Sequence, residues 1–182
     1  MAQHRLIVGG QRSGKSRHAE RLAQAWLAEA PGRRVTVLAT ALALDEEMRE
    51  RIAHHRRQRP AGFDTVEAPL ALSEALRAIA APERLIVVDC LTLWLTNWLM
   101  PMNGIPDLAG WRHECQALLD ALPTLASPLV IISNEVGWGV SPITAEARFY
   151  VDELGRLNQS VAERCRQLTL MVAGQAWSRD VE

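Results

Sequence analysis

Eight residues, Gly9-Gly10-Gln11-Arg12-Ser13-Gly14-Lys15-Ser16, have the types and spacing to hold a row of phosphates. They complete the pattern G-x-x-x-x-G-K-[ST], in which glycines let the backbone curl until successive N–H groups converge on phosphate oxygens. Gly9, Gly10 and Gly14 fill that role. Lys15 brings a point charge to the β- and γ-phosphates, and the Ser16 hydroxyl suits a magnesium ion bridging them. Arg12 reads equally as a phosphate contact and as a solvated side chain. The chemistry is that of a nucleoside triphosphate site.

Two further groups extend it. Leu85-Ile86-Val87-Val88-Asp89 ends four aliphatic residues on a carboxylate, the pattern of a buried strand that delivers an acid to the metal at a sheet edge. Asp89 reads alternatively as a cap for a helix over Cys90 to Leu99; the phosphate loop upstream favours the metal side. From 44 to 56 the pattern is helical, with Asp45, Glu46 and Glu47 in the first turn, where the dipole favours acids. At about 100° per residue, Leu44, Met48 and Ile52 form a stripe roughly 80° wide that includes His55 and leaves His54 about 80° outside it. A neutral imidazole aimed inward is a competent nucleophile, and attack on the α-phosphorus of a nucleotide would give a nucleotidyl-histidine. A buried, hydrogen-bonded histidine is the other reading. Arg56, Arg57 and Arg59 directly after it are either charge stabilisers for phosphoryl chemistry or a solvated helix end.

To present these groups the chain needs strands that end at one edge. β-prone runs recur at His4 to Val8, Arg34 to Ala39, Phe63 to Glu67, Arg84 to Asp89, Leu129 to Ser133 and Leu168 to Ala173, with helical patterns between most of them. Such alternation predicts an α/β, three-layer sandwich of the RecA-like P-loop NTPase class, its mostly parallel sheet covered on both faces and its ligands at the carboxyl ends of the strands. Trp94 and Trp98, beside Leu91 and Leu95, are expected in the core rather than against a base.

Composition narrows the partners. A chain of 182 residues, 48% hydrophobic and 23% charged, suits a single domain over residues 1–182. A net charge of -1 and a pI near 6.5 leave no electrostatic footprint for nucleic acid or anionic lipid. Three scattered cysteines without a C-x-x-C pair argue against a disulfide framework and a zinc site, and so for a reducing cytoplasm. The chain enters its first strand too early for a signal peptide, and the apolar stretch Leu91 to Met102 is short and interrupted, so no membrane insertion is expected.

Taken together, Gly-Gly-x-Arg-Ser-Gly-Lys-Ser, Ala39-Thr40-Ala41, Asp45-x-Glu47-Met48, Arg51-Ile52-x-x-His55, Val88-Asp89-Cys90-Leu91-Thr92, Ser133-Asn134-Glu135-Val136-Gly137 and Gly155-Arg156-Leu157-Asn158-Gln159 resemble one family. It is the bifunctional adenosylcobinamide kinase and adenosylcobinamide-phosphate guanylyltransferase, and the similarity runs through nearly the whole chain. The resemblance implies a cytoplasmic enzyme of cobalamin assembly. It would phosphorylate the aminopropanol hydroxyl of adenosylcobinamide with ATP or GTP, then transfer GMP from GTP to adenosylcobinamide phosphate through a guanylylated His55, releasing pyrophosphate. By position it implies nucleotide contacts from Gly9 to Ser16 (Gly9, Gly10, Gln11, Arg12, Ser13, Gly14, Lys15, Ser16), from Ala39, Thr40 and Ala41, from Arg56, Arg57, Gln58 and Arg59, and from Glu67. Lys15 and His55 would be catalytic, and Ser16 and Asp89 would bind Mg2+. A homo-oligomer, as a ring-like trimer, is also implied.

Two stretches depart from the family pattern: Gly137-Trp138-Gly139-Val140-Ser141-Pro142-Ile143-Thr144, and the run Gln175 to Asp180 near the C-terminus. A kinase for another small metabolite would need the loop and Asp89 but no covalent histidine. His55 discriminates the two.

Overall fold

The computed structural model describes residues 3–42, 46, 49–50, 62–102 and 104–181. Its strands are β1 (Arg5–Gly9), β2 (Arg34–Ala39), β3 (Phe63–Glu67), β4 (Arg84–Asp89), β5 (Leu129–Ile132), β6 (Gln167–Val172) and β7 (Gln175–Asp180). Its helices are α1 (Lys15–Glu29), α2 (Leu72–Ile79), α3 (Leu91–Leu99), α4 (Leu108–Ala121) and α5 (Ala145–Ala162). One sheet takes the order β3-β2-β4-β5-β1-β6-β7, parallel throughout except for β7.

Period-two alternation sorts the aliphatic strand residues into two cores. Leu6, Val8, Leu38, Ile86, Val88, Leu129 and Ile131 face a layer that includes Leu72, Leu76, Trp94, Leu95, Leu118 and Leu157 of the helices α2 to α5. Ile7, Val35, Val37, Leu85, Val87, Val130 and Ile132 face Ala19 and Ala23 of α1. Strands covered on both faces must be apolar at nearly every position, which is why β4 and β5 read as unbroken aliphatic runs. Trp94 lies wholly inside, its indole N–H donating to Leu70 O at 2.8 Å and its ring edge-on to Trp111 at 5.1 Å. Both tryptophans of α3 pack against the larger core, as their spacing suggested.

The run Gln175–Asp180 pairs antiparallel with β6 as β7, which the sequence pattern did not predict. A two-residue turn joins them, with Ala173 at φ 50° and Gly174 at φ 78°, the double left-handed geometry that matches strand twist. The helix expected over 44–56 lies outside the described residues except for Glu46, Arg49 and Glu50, which are helical, with Arg49 Nε donating to Glu46 at 3.0 Å. His55, Arg56, Arg57, Gln58 and Arg59 lie outside them altogether.

Candidate active site

The strand register brings the expected groups to one edge. Ala39 pairs with both Glu67 and Asp89, Asp89 with Ile132, and Gly9 with Met171, so β1 to β6 end side by side. The first loop glycine is thus the last residue of β1, one position later than the sequence pattern placed the strand end. A side chain is excluded there: a Cβ on Gly9 would stand 2.3 Å from Met171 O, at φ 152°.

From Gly9 the loop turns with Arg12 at φ 57° and Gly14 at φ 99°. Ser13 N–H donates to Gly10 O at 3.3 Å, and His18 N–H reaches Gly14 O at 3.0 Å. Gly14 occupies the cap position of α1, which has no side-chain cap and no acidic residue in its first turn. By contrast α4 and α5 are capped by Asp107 and Thr144. Helices α2 and α3 also lack side-chain caps, so it is the glycine-rich loop before α1 that suits its positive end to an external anion. The β6–β7 turn braces this loop from behind, with Gly174 N–H donating to Ser13 O at 2.9 Å.

Lys15 is buried, and its ammonium donates to Gly9 O at 3.0 Å and Gly10 O at 2.6 Å. Burial lowers its pKa, opposed by Cys90 and Asp89. The Cys90 thiol is itself pushed up to about 11, chiefly by burial, so it stays protonated at neutral pH. Asp89 closes β4, and the residue at the cap of α3 is Cys90, which makes no side-chain cap. Ser16 lies half-buried in the first turn of α1.

Other expected contacts are differently placed. Thr40 is fully buried: its hydroxyl donates to Cys90 O at 2.7 Å and accepts from Cys90 N–H at 2.9 Å, while Asn97 Nδ2 donates to Thr40 O at 2.7 Å. It shapes the turn beyond Asp89, leaving half-buried Ala39 and Ala41 nearer the surface. Glu67 is exposed on edge strand β3, four strand spacings and so roughly 19 Å from β1. Asp89 and the loop are brought together; Glu67 and the loop are not.

One cluster escaped the pattern search. Asn158 of α5, 6% exposed, donates through Nδ2 to Asn134 O at 3.1 Å and to Glu135 Oε1 at 3.2 Å. Asn134 N–H donates to Thr92 Oγ1 at 2.9 Å, and Glu135 N–H to Gly9 O at 3.3 Å. Tyr150 donates to Thr92 O at 3.0 Å. The signal in the sequence was the pair of polar motifs Ser133 to Gly137 and Gly155 to Gln159, whose contact no spacing rule reveals.

A glycine-rich turn joining the first parallel strand to the first helix, with an aspartate ending the strand two places across the sheet, defines a P-loop protein of α/β type. A solved structure shares the fold: the flagellar accessory protein FlaH of Methanocaldococcus jannaschii aligns with 99% of this chain and 78% of its own, at a TM-score of 0.50 and 13% identity. Residues 5–178 match the family described as cobinamide kinase / cobinamide phosphate guanyltransferase, and the chain belongs to that family. It is similar to the bifunctional adenosylcobalamin biosynthesis protein CobP of Pseudomonas aeruginosa, 50% identical over 169 residues, covering 93% of this chain and 92% of that one. It also resembles the proteins CobU of Escherichia coli and Salmonella typhimurium, 36% and 37% identical over 178 residues, covering 93% of this chain and 95% of each. The protein is therefore a bifunctional cobinamide kinase and cobinamide-phosphate guanylyltransferase of adenosylcobalamin biosynthesis. Among the described residues no helix is long and apolar enough to cross a membrane.

Proposed function

We propose that residues 1–182 form a single catalytic domain in which one triphosphate site serves both transfers. The observation that carries this reading is Lys15, drawn onto the carbonyls of its own loop within the field of Asp89. A bound triphosphate would replace those carbonyls as the partner of the ammonium. In the kinase step, ATP or GTP lies with its phosphates over Gly9 to Ser16, and the aminopropanol hydroxyl of adenosylcobinamide displaces the nucleoside diphosphate from the γ-phosphorus. In the second step, a ring nitrogen of His55 attacks the α-phosphorus of GTP. The bond to the bridging oxygen breaks and pyrophosphate leaves. An oxygen of adenosylcobinamide phosphate then takes the GMP, breaking the P–N bond and yielding adenosylcobinamide-GDP. Ala39, Ala41 and Arg56 to Arg59 would complete the nucleotide contacts, with Thr40 shaping the turn and Glu67 reached only by the end of the nucleotide far from the loop.

Magnesium fits this donor set. No cluster of three or more histidine, cysteine or acidic residues exists among the described residues, and Mg2+ prefers one or two hard protein oxygens supplemented by phosphates and water. The Ser16 hydroxyl and the Asp89 carboxylate would hold it, and when bound it would neutralise charge on the phosphates. The working form is a cytoplasmic homo-oligomer, a ring-like trimer.

The test uses GTP labelled at the α-phosphate, with magnesium, followed by denaturation and mapping of retained label. An acid-labile adduct on His55, lost in His55→Ala while phosphoryl transfer from ATP survives, is expected. Label absent from this histidine would remove the covalent step and leave plain phosphorylation.

A further inference from the structure

A kinase must take a proton from its acceptor hydroxyl, and Lys15, magnesium and the loop N–H groups accept none. The polar groups at the carboxyl edge narrow the choice. Asp89 is committed to the metal side, the Thr40 hydroxyl to Cys90, and the Cys90 thiol is buried. Glu67 stands across the sheet.

Among the described residues Glu135 remains, and it is held. Its backbone N–H is bonded to Gly9 O, so it lies beside the first residue of the phosphate loop, in the segment that leaves β5, the strand next to β1. Its carboxylate is half-buried, and one oxygen accepts from Asn158 Nδ2 at 3.2 Å. Asn158 is buried with its own Oδ1 unpaired among the described residues. An unpaired buried amide oxygen costs stability, so the side chain is placed for its donor end. The hydroxyls of Ser13 and Ser133, on segments that meet at Gly9, are also buried without partners among the described residues. Asn158 thus fixes one oxygen of a half-buried carboxylate beside the phosphate loop.

We propose that Glu135 is the general base of the kinase half-reaction and that Asn158 is its positioning residue. The inference rests on the loop being the phosphate site of that step. As the acceptor oxygen bonds to the γ-phosphorus, its proton passes to the carboxylate oxygen that Asn158 leaves open. The bond between the γ-phosphorus and its bridging oxygen breaks, the nucleoside diphosphate departs, and Glu135 returns the proton to water. Guanylyl transfer has no such need, because its acceptor is already a phosphate anion.

The experiment compares Glu135→Gln, Glu135→Asp, Asn158→Ala and the double variant Glu135→Gln with Asn158→Ala in the full chain. Glu135→Gln keeps an oxygen for Asn158, and should lower kcat of cobinamide phosphorylation roughly 10²–10⁴-fold, the usual contribution of a general base, with KM for ATP little changed. Guanylyl transfer to supplied cobinamide phosphate should fall far less. Glu135→Asp should recover part of the kinase rate. Asn158→Ala should lower kinase kcat about tenfold alone and not at all once Glu135 is glutamine, since both act through one proton transfer. Kinase turnover in Glu135→Gln within threefold of the parent would overturn the proposal. So would equal loss of both activities with loss of ATP binding, which marks a structural brace. Lys15→Met separates the two layers: if ATP binds it as tightly as the parent, the loop reading fails irrespective of Glu135.

Discussion

Two serines bracket β5, both fully buried, and they are treated in opposite ways. Ser127, before the strand, accepts from Ala81 N–H at 2.8 Å and donates to Ala81 O at 2.9 Å. Ser133, just after it, has no partner for its hydroxyl among the described residues. The contrast extends along each edge. At the amino ends His4 Nε2 meets Leu122 O at 2.7 Å and Arg84 donates to Ile79 O at 3.0 Å, so side chains with one orphan nitrogen still make another bond. At the carboxyl ends the Ser13 and Ser133 hydroxyls make none. Both edges spend most of their polar groups on closing the fold, but the carboxyl edge also keeps two hydroxyls, those of Ser13 and Ser133, unpaired among the described residues at a cost in stability.

An open cavity of about 350 Å³ lies at the amino edge, lined by Arg5, Trp26, Arg33 and Leu129 among others. It does not overturn the comparison. Its lining includes the Arg33 guanidinium stacked 3.6 Å over the Trp26 ring and paired with Glu29, groups already engaged with one another, whereas ligands of parallel sheets sit at the carboxyl ends.

The largest expected effect would show that the carboxyl edge is unsatisfied yet not plastic. Gly9→Ala forces a Cβ into Met171 O and holds alanine in a backbone region that favours glycine. It should cost about 3 kcal/mol in urea unfolding and abolish nucleotide binding; tolerance would mean that the loop drifts free of β6. The two serines sharpen the contrast directly. Ser127→Ala should lose about 1–3 kcal/mol by stranding Ala81, while Ser133→Ala should lie within about 0.5 kcal/mol of the parent or exceed it. Equal losses would erase the distinction between the edges. The smallest effect concerns pH. Burial lowers the pKa of His4 from its ordinary 6.5, and the bond to Leu122 opposes it only in part. As pH falls through about 6.5 the unfolded chain takes up a proton that folded His4 refuses, so stability drops on acidification. His4→Gln should flatten part of that drop when unfolding is compared at about pH 7.5 and 5.5; an unchanged slope would place the proton elsewhere.

The phosphate loop, Asp89 and the six parallel strands were legible because each rests on local pattern: glycine spacing, or aliphatic runs that must be continuous when both faces are covered. The bounds of β2, β3 and β4 are those the runs predicted, while β1, β5 and β6 differ by a residue where polar ends share the ladder. Strand β7 was not legible, since Gln175–Asp180 is exposed along its whole length and so carries no alternation. Its signal was the Ala173-Gly174 turn. The role of Thr40 was hidden because its partner Cys90 is fifty residues away, and that of Asn158 because a helix must first be folded back over β5 before it meets Glu135. Side chains that act through tertiary contacts leave no period to read.

The turn between β6 and β7 carries a consequence for synthesis. The phosphate loop leaves the ribosome well before its neighbours: β1 is flanked by β5 and β6, and the loop is braced by Gly174. These neighbours are translated more than a hundred residues later. A nascent chain therefore carries the motif long before it carries the pocket, and its affinity for nucleotide switches on only once β6 and its turn have been made rather than growing with length.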